Sequence, residues 1–364
     1  MKKSKLNKLF IAVGIAFAGL AFQPNLHAAV SVFIEGGSAS QNILYDRATN
    51  LFAGGTFTST GTGASTVRRF QGSSLNPTLS GYGTITLDIN VANGAINGLL
   101  ALVNQSADAN DTNVLGTQTI PTFVDSATTP EAVGIDSVAA NLTEYPTYVV
   151  PLVYVKNTAF PDVNAITNLT QRQAVSLETS TNKATFYGGT STNVIYFVGR
   201  NRQAAVRTEV DLNIYNTGNI KTFTNNAAGL PVQDTSSDPG LASGGAVATA
   251  VLALTNSIGT VAVQNLKSTL VPIAYEGVNY SVTNVINGSY PLWGYEHYYF
   301  ITAPNTGAPS TPQQAVIDAF YQSVTNAAFQ NINTPVFTNS FVPISALKVK
   351  RNYDGGPIIP LPNY

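Results

Sequence analysis

The chain has 364 residues, no cysteine and only 10% charged residues, against about 25% in an average soluble domain. Hydrophobic residues make up 44% and aromatic residues 10%, enough apolar surface to exclude a charge-rich disordered chain. The lack of cysteine excludes a disulfide scaffold and thiolate metal sites, and a formal net charge of −1 argues against a basic nucleic-acid binder. At this length two lobes are expected, because single cores stop growing near ~250–300 residues.

Residues 1–28 read as a secretory signal peptide. Lys2, Lys3, Lys5 and Lys8 form the positive end, Leu9 to Phe22 the apolar stretch, and Leu26-His27-Ala28 a cleavage site before Ala29. A membrane anchor is the rival reading, but the 14-residue stretch is shorter than the ~18–20 residues that span a bilayer. A periplasmic or secreted protein is expected after cleavage near Ala28. Cleavage removes four lysines and no acid, so 18 basic residues become 14 against 19 acidic ones, a net charge of −5. His27 leaves as well. His297 then remains as the single histidine, inside the aromatic run Trp293–Phe300, where a packed structural role is expected rather than acid–base catalysis. No catalytic residue, metal or cofactor is expected.

Short β-type runs alternate with helical patterns along the rest of the chain, which predicts an α/β fold with largely parallel sheets. Val30 to Ile34 reads as a first strand broken by Gly36-Gly37, and Ser38 to Phe52 as a helix with Ser38 as its N-cap. Gly54 to Thr66 reads as a loop, Gly83 to Val91 as a strand and Gly94 to Val103 as a short apolar helix. Gln105 to Glu131 is polar and irregular. Tyr148 to Val155 is a continuous apolar strand, and Pro151 within it predicts an edge or a bend. Gln171 to Leu177 predicts a helix, Val194 to Val198 a buried strand and Ala204 to Tyr215 a helix. Asn216 to Gly245 is polar, with a turn at Asp238-Pro239-Gly240. Then come a small-residue helix over Gly245–Leu254, a strand over Ser257–Val263, a strand over Tyr295–Thr302 and an amphipathic helix over Pro312–Ala328.

Three segments carry candidate chemistry. The turn Gly36-Gly37-Ser38-Ala39-Ser40 places glycines and hydroxyls before a helix N-terminus, whose free N–H groups and partial positive charge suit an oxyanion; a Ser-capped turn that binds nothing is the plainer alternative. Arg200, Arg202 and Arg207 gather in eight positions after a buried strand. Arginine suits bidentate oxyanion binding, and surface pairing with Glu209 and Asp211 is the alternative. Asp136-Ser137 offers a hydrogen-bond acceptor for a protonated ligand, or a helix cap. Motifs for hydrolysis, nucleotide binding or group transfer are absent from the sequence.

In this order, together with Tyr148–Asn157, Ile166-Thr-Asn-Leu-Thr170, Val198-Gly-Arg-Asn201, Ile258-Gly-Thr-Val261 and Tyr290-Pro-Leu-Trp-Gly-Tyr-Glu296, the chain resembles the phosphate-binding subunits of bacterial phosphate ABC importers, within the type II periplasmic binding proteins. The resemblance implies two α/β lobes joined by crossover strands, with lobe one formed by residues 29–150 and 266–364 and lobe two by 151–265. It implies an anion held in the cleft by Gly37, Ser38, Ala39 and Ser40, by Ser65 of a Gly/Ser-rich loop, by Asp136 and Ser137 in reversed order, and by Arg200. Arg207 from the same arginine cluster and the backbone of Ala204 complete the expected set. One departure stands out. Where the family carries a Gly-Ser-Gly-Thr type of turn, this chain has Gln203-Ala204-Ala205-Val206, and each hydroxyl bond lost to a charged ligand costs ~1.5–3 kcal/mol.

The expected function is an exported solute-binding protein for an oxyanion, phosphate above others, acting in import or sequestration. The implied partners are inorganic phosphate and the membrane subunits of an ABC importer, with no nucleic acid and a monomeric state. The alternative is a binding-protein fold whose anion site has decayed, acting at the surface in adhesion, matrix or partner binding.

Overall fold

The computed structural model describes residues 29–52, 57–60, 67–74, 76–92, 94–106, 120–331 and 340–362. The expected signal peptide and the Gly61–Ser65 loop lie outside these residues. Among the described residues twelve strands form one sheet: β1 (Val30–Gly36), β2 (Phe57–Thr60), β3 (Arg68–Gly72), β4 (Ile85–Asn90), β5 (Phe123–Ser126), β6 (Leu142–Asn157), β7 (Asn182–Lys183), β8 (Val194–Val198), β9 (Ser257–Ala262), β10 (Leu270–Pro272), β11 (Trp293–Ile301) and β12 (Val342–Pro343). Their order is β2-β3-β4-β1-β5-β11-β6-β9-β8-β7, with β10 and β12 also pairing β6. The helices that position the site are α1 (Gln41–Leu51), α2 (Ala95–Asn104), α3 (Gln171–Thr179), α4 (Ala205–Ile214), α5 (Gly244–Ala253) and α6 (Thr311–Thr325).

Strand β6 is what makes the molecule two-lobed. Its first part, Leu142–Pro151, pairs antiparallel with β11, and its second part, Leu152–Lys156, pairs antiparallel with β9. One half of the sheet, β2 to β5, therefore lies on one side of the crossing strands β6 and β11, and the other half, β9 to β7, lies at the far end of β6. Pro151 sits at the change of partner, opposite Trp293, and the next amide, Leu152, donates to the Leu292 carbonyl at 2.9 Å. Of the expected edge or bend, the edge is not found: β6 is central, and the proline without an N–H falls where one ladder ends and the next begins. Within this sheet, parallel pairing is confined to β1 with β4 and β5, and β8 with β9; the rim and the crossing strands are antiparallel. Strands β4 and β9 are buried along their whole length, as strands covered by helices on both faces must be.

Several expected elements shift. Helix α1 begins at Gln41 after Ser40, not after Ser38. The polar stretch 105–131 contains β5, and the stretch 216–245 contains a two-stranded hairpin, Phe223–Asn225 with Pro231–Gln233. Capping boxes at Thr170/Gln173 and Ser310/Gln313 start α3 and α6, each satisfying two otherwise unpaired groups at a helix start. The largest apolar cluster runs through both lobes, with Trp293, Tyr148, Tyr154, Tyr290 and Tyr298 fully buried, and smaller ones form around Leu99 and Tyr299 and around Ala95, Ala127 and Ala205. His297 is buried and stacks on Tyr299, with Nδ1 2.7 Å from Glu144 Oε1. Among the described residues no helix is long and apolar enough to cross a membrane.

Candidate functional site: an arginine and a serine between two lobes

The site begins where β1 delivers the chain into a turn. Gly36 ends the strand at a point where a Cβ would lie 3.1 Å from Asp125 Oδ2. Gly37, Ser38 and Ala39 then form the turn, closed by the Ser40 amide donating to the Gly37 carbonyl at 3.1 Å. Ser40 stands at the N-cap of α1 but makes no cap bond with its side chain. Its hydroxyl donates instead to Asp125 Oδ2 on β5 and lies 3.1 Å from the Gly37 carbonyl. Ser38 is buried and faces the other lobe.

In the second lobe β8 leads through Gly199 to Arg200. The loop at Gly240–Leu241 packs on Arg200, with Gly240 at φ 120°, and a Cβ there would lie 2.4 Å from the Arg200 carbonyl carbon. This contact fixes the guanidinium. Nε donates to the Leu241 carbonyl at 3.0 Å and Nη2 to the Ala242 carbonyl at 2.8 Å, while Nη1 crosses between the lobes to Ser38 Oγ at 3.2 Å. The Gly244 amide at the start of α5 donates to the same Ser38 oxygen at 3.3 Å, and Gln264 Nε2 donates to the Ser38 carbonyl. Ser38 is thus gripped by three groups of the opposite lobe.

Two more contacts cross beside it. The Ile96 amide in the first turn of α2 donates to the Gln203 carbonyl at 3.3 Å, and Thr128 Oγ1 donates to the Ala205 carbonyl at 3.0 Å. The starts of α1, α2, α4 and α5 therefore meet at one place, each with first-turn N–H groups that have no partner inside the helix.

Between the Gly37–Ala39 turn and the start of α4 is a cavity of about 10 Å³, room for about one water. Gly37, Ser38, Ala39 and Ala127 line one wall, Arg200, Ala204, Ala205 and Val206 another, and Glu296 of β11 the floor. Burial pushes the Arg200 guanidinium down to about 10, and among the described residues no carboxylate forms an ion pair with it. Burial pushes Asp125 up to about 7, opposed by the hydrogen bonds from Ser40 and Glu296. It pushes Glu296 well above the usual carboxylate range, with the Asp125 charge adding to the rise. Burial thus disfavours the ionised form of both carboxyls below the buried cation.

The expected site residues divide into groups. Gly37, Ser38, Ala39, Arg200 and Ala204 line this cavity, and Ser40 lies directly below it. Arg207 does not reach it: its Nε pairs with Asp211 Oδ2 at 3.4 Å, and it lines a second small cavity behind Arg200 with Glu178 and Thr260. Asp136 is exposed, and its Oδ1 accepts from the Val138 and Ala139 amides at 3.0 Å, the local capping alternative. Ser137 donates to Glu131. Neither Asp136 nor Ser137 lines the cavity. Arg202 is exposed and its amide donates to Asp238. Ser65 lies outside the described residues.

Sequence reasoning missed Asp125, Glu296 and Gln264. Neither acid had a periodic signal: Asp125 lies in a stretch that reads as polar and irregular, and Glu296 in an aromatic run.

The architecture has solved counterparts. A structure assigned as a phosphate ABC transporter substrate-binding protein with bound phosphate, from Clostridium perfringens, aligns at TM-score 0.58 and 14% identity, over 86% of this chain and 99% of that one. An ABC-type phosphate transport receptor from Vibrio cholerae aligns at TM-score 0.52 and 14% identity, over 85% of this chain and 99% of that one. The fold is that of the type II periplasmic binding proteins. No family model and no curated protein matches the sequence.

Helix-start N–H groups and a guanidinium are donors of the kind that suit a small anion. The hydroxyls of Ser38 and Ser40 face Arg200 and Asp125 respectively.

Proposed function

We propose that this chain is an exported solute-binding protein that holds an oxyanion, phosphate first, between its lobes and passes it to the membrane subunits of an ABC importer or sequesters it. Lobe one is drawn from residues 29–150 and 266–364 and lobe two from 151–265. The observation that carries the reading is Arg200, a buried guanidinium aimed across the lobe boundary at the Gly37–Ser40 turn, amid four helix N-termini. The resemblance of the sequence to phosphate-binding subunits, and the phosphate bound in the Clostridium protein of the same fold, support phosphate as the first candidate. Ser38 Oγ occupies the place of an anion oxygen on Arg200. An anion of five heavy atoms needs several times the space of one water, so it enters when the lobes part and Ser38 leaves Arg200.

A second reading rests on Ala204-Ala205-Val206. These side chains give the wall of the cleft methyl groups where hydroxyls would bind a charged ligand, which suits a site turned to holding the lobes together in a surface protein. Equilibrium dialysis of the chain from Ala29 against labelled phosphate separates the two. Saturable binding of one phosphate per chain supports the first reading, and no retention at millimolar phosphate supports the second.

A further inference from the structure

Below the Ser38–Arg200 contact, Asp125 of β5 and Glu296 of β11 are buried on neighbouring strands, Asp125 opposite Tyr298 in the ladder and Glu296 two residues along from it. Asp125 is 0% and Glu296 1% exposed. Ser40 donates to Asp125 Oδ2, whereas Asp125 Oδ1 and Glu296 Oε2 receive no bond from an N–H or O–H group of the described residues. Ionised carboxylates only accept hydrogen bonds, so two of them bond to each other only around a proton. Glu296 also lines the anion cavity. The groups facing the pair are Tyr148 of β6, Tyr298 of β11 and Glu209 of α4, with Arg200 across the cavity and Arg47 of α1 acting on Tyr298. The phenols of Tyr148 and Tyr298 are held neutral by burial, and Glu209 is likewise pushed up by burial and by Asp354. Asp125, pushed up to about 7 by burial, is a carboxyl of this pair that can gain or lose a proton near neutrality.

We propose that Asp125 and Glu296 form a specificity-determining pair of the cleft, which binds the oxyanion together with a proton and donates a carboxyl O–H to one anion oxygen. The inference rests on the oxyanion reading above. No covalent bond changes: a proton moves from the buffer to a carboxylate oxygen of the pair as the anion enters. The direction follows from charge, because an anion beside two carboxyl groups disfavours their ionised form. The cleft then prefers an anion with no acid proton of its own facing the floor, since two O–H groups cannot both donate along one contact.

The test is titration calorimetry of the chain from Ala29 at about pH 7.5 with sulfate and with inorganic phosphate, each in two buffers of different ionisation heat. Sulfate keeps its charge from about pH 5.5 to about 8.5, so its affinity reports the protein's protons alone, and it is expected to fall by up to about tenfold per pH unit. The heats are expected to differ between buffers by the uptake of up to one proton per anion. Glu296→Gln and Asp125→Asn are each expected to abolish that difference, and either suffices where the other does not fold. Where only phosphate binds, the proton count is read as wild type minus variant, which cancels the protons of phosphate itself. Anion binding with heats independent of buffer, or with the same proton count in the variants, overturns this inference and leaves the oxyanion reading standing. No heat with either anion removes the reading and the inference with it.

Discussion

Ser38 shows how one residue can be placed correctly from sequence and still be given the wrong partner. A serine after two glycines at the start of a helical pattern is a natural N-cap. Ser40 takes the capping position instead, and this leaves the Ser38 hydroxyl free to accept from Arg200 and Gly244 across the cleft. Replacing Ser38 by alanine leaves a buried guanidinium nitrogen and a buried amide without that acceptor, so a loss of ~1–3 kcal/mol is expected in denaturant melts. Asp136 is the opposite case. Its spacing resembled a ligand-binding pair, but its carboxylate is spent on the Val138 and Ala139 amides at the surface. Asp136→Asn is therefore expected to leave anion affinity unchanged within error in calorimetry, whereas a clear loss would place it back in the site. The acids that do sit there, Asp125 and Glu296, were hidden because a lone acid among Phe, Val, Tyr and Trp gives no periodic signal, and only the folded sheet shows what lies beside it.

The elements that period and capping rules define were legible: β1, α3, β8, α4, α5, β9 and α6 lie within a few residues of where the pattern puts them. What was not legible depended on partners distant in sequence. β5 is four residues long inside a polar stretch and exists because β1 and β11 flank it. Pro151 could stand inside a central strand only because β6 changes partner there. The start of α2 makes the same point in a testable form. Gly94 has φ 87°, where side chains other than glycine are strained, and a Cβ there would lie 2.3 Å from the Gln203 carbonyl oxygen of the other lobe. Gly94→Ala is expected to wedge the lobes apart. The lobes should then scatter X-rays at small angle as a more open particle, and stability should drop by ~1–3 kcal/mol. An unchanged scattering profile would mean that this contact does not hold the lobes closed.

At the scale of the whole molecule, the scarcity of charge acquires a location. The few acids are not all at the surface: Asp125, Glu178, Glu209 and Glu296 are buried, and burial raises each of them. Glu178 is pushed up to about 8, with the Asp211 charge adding to burial. Between the ordinary carboxylate range near ~4 and these raised values, the folded chain keeps protons that the unfolded chain has released, so stability falls as pH rises through that window. The melting temperature is expected to be higher at about pH 5 than at about pH 8, and Asp125→Asn should flatten the slope. Glu144, held low by His297, contributes in the opposite sense, losing its share of stability as pH falls toward its own value. A protein expected to carry net −5 cannot gather anions with a basic surface. Its affinity has to come from aimed donors at one point, and Arg200 is the only full positive charge among the residues lining that point. The most direct measurement is therefore calorimetric titration of phosphate into the wild-type chain and into Arg200→Met. The account predicts one phosphate per wild-type chain and a loss of at least about a hundredfold in the variant, since two charge-assisted bonds are worth ~3 kcal/mol or more. Equal affinity in the two proteins, or no binding by the wild type at millimolar phosphate, would contradict it.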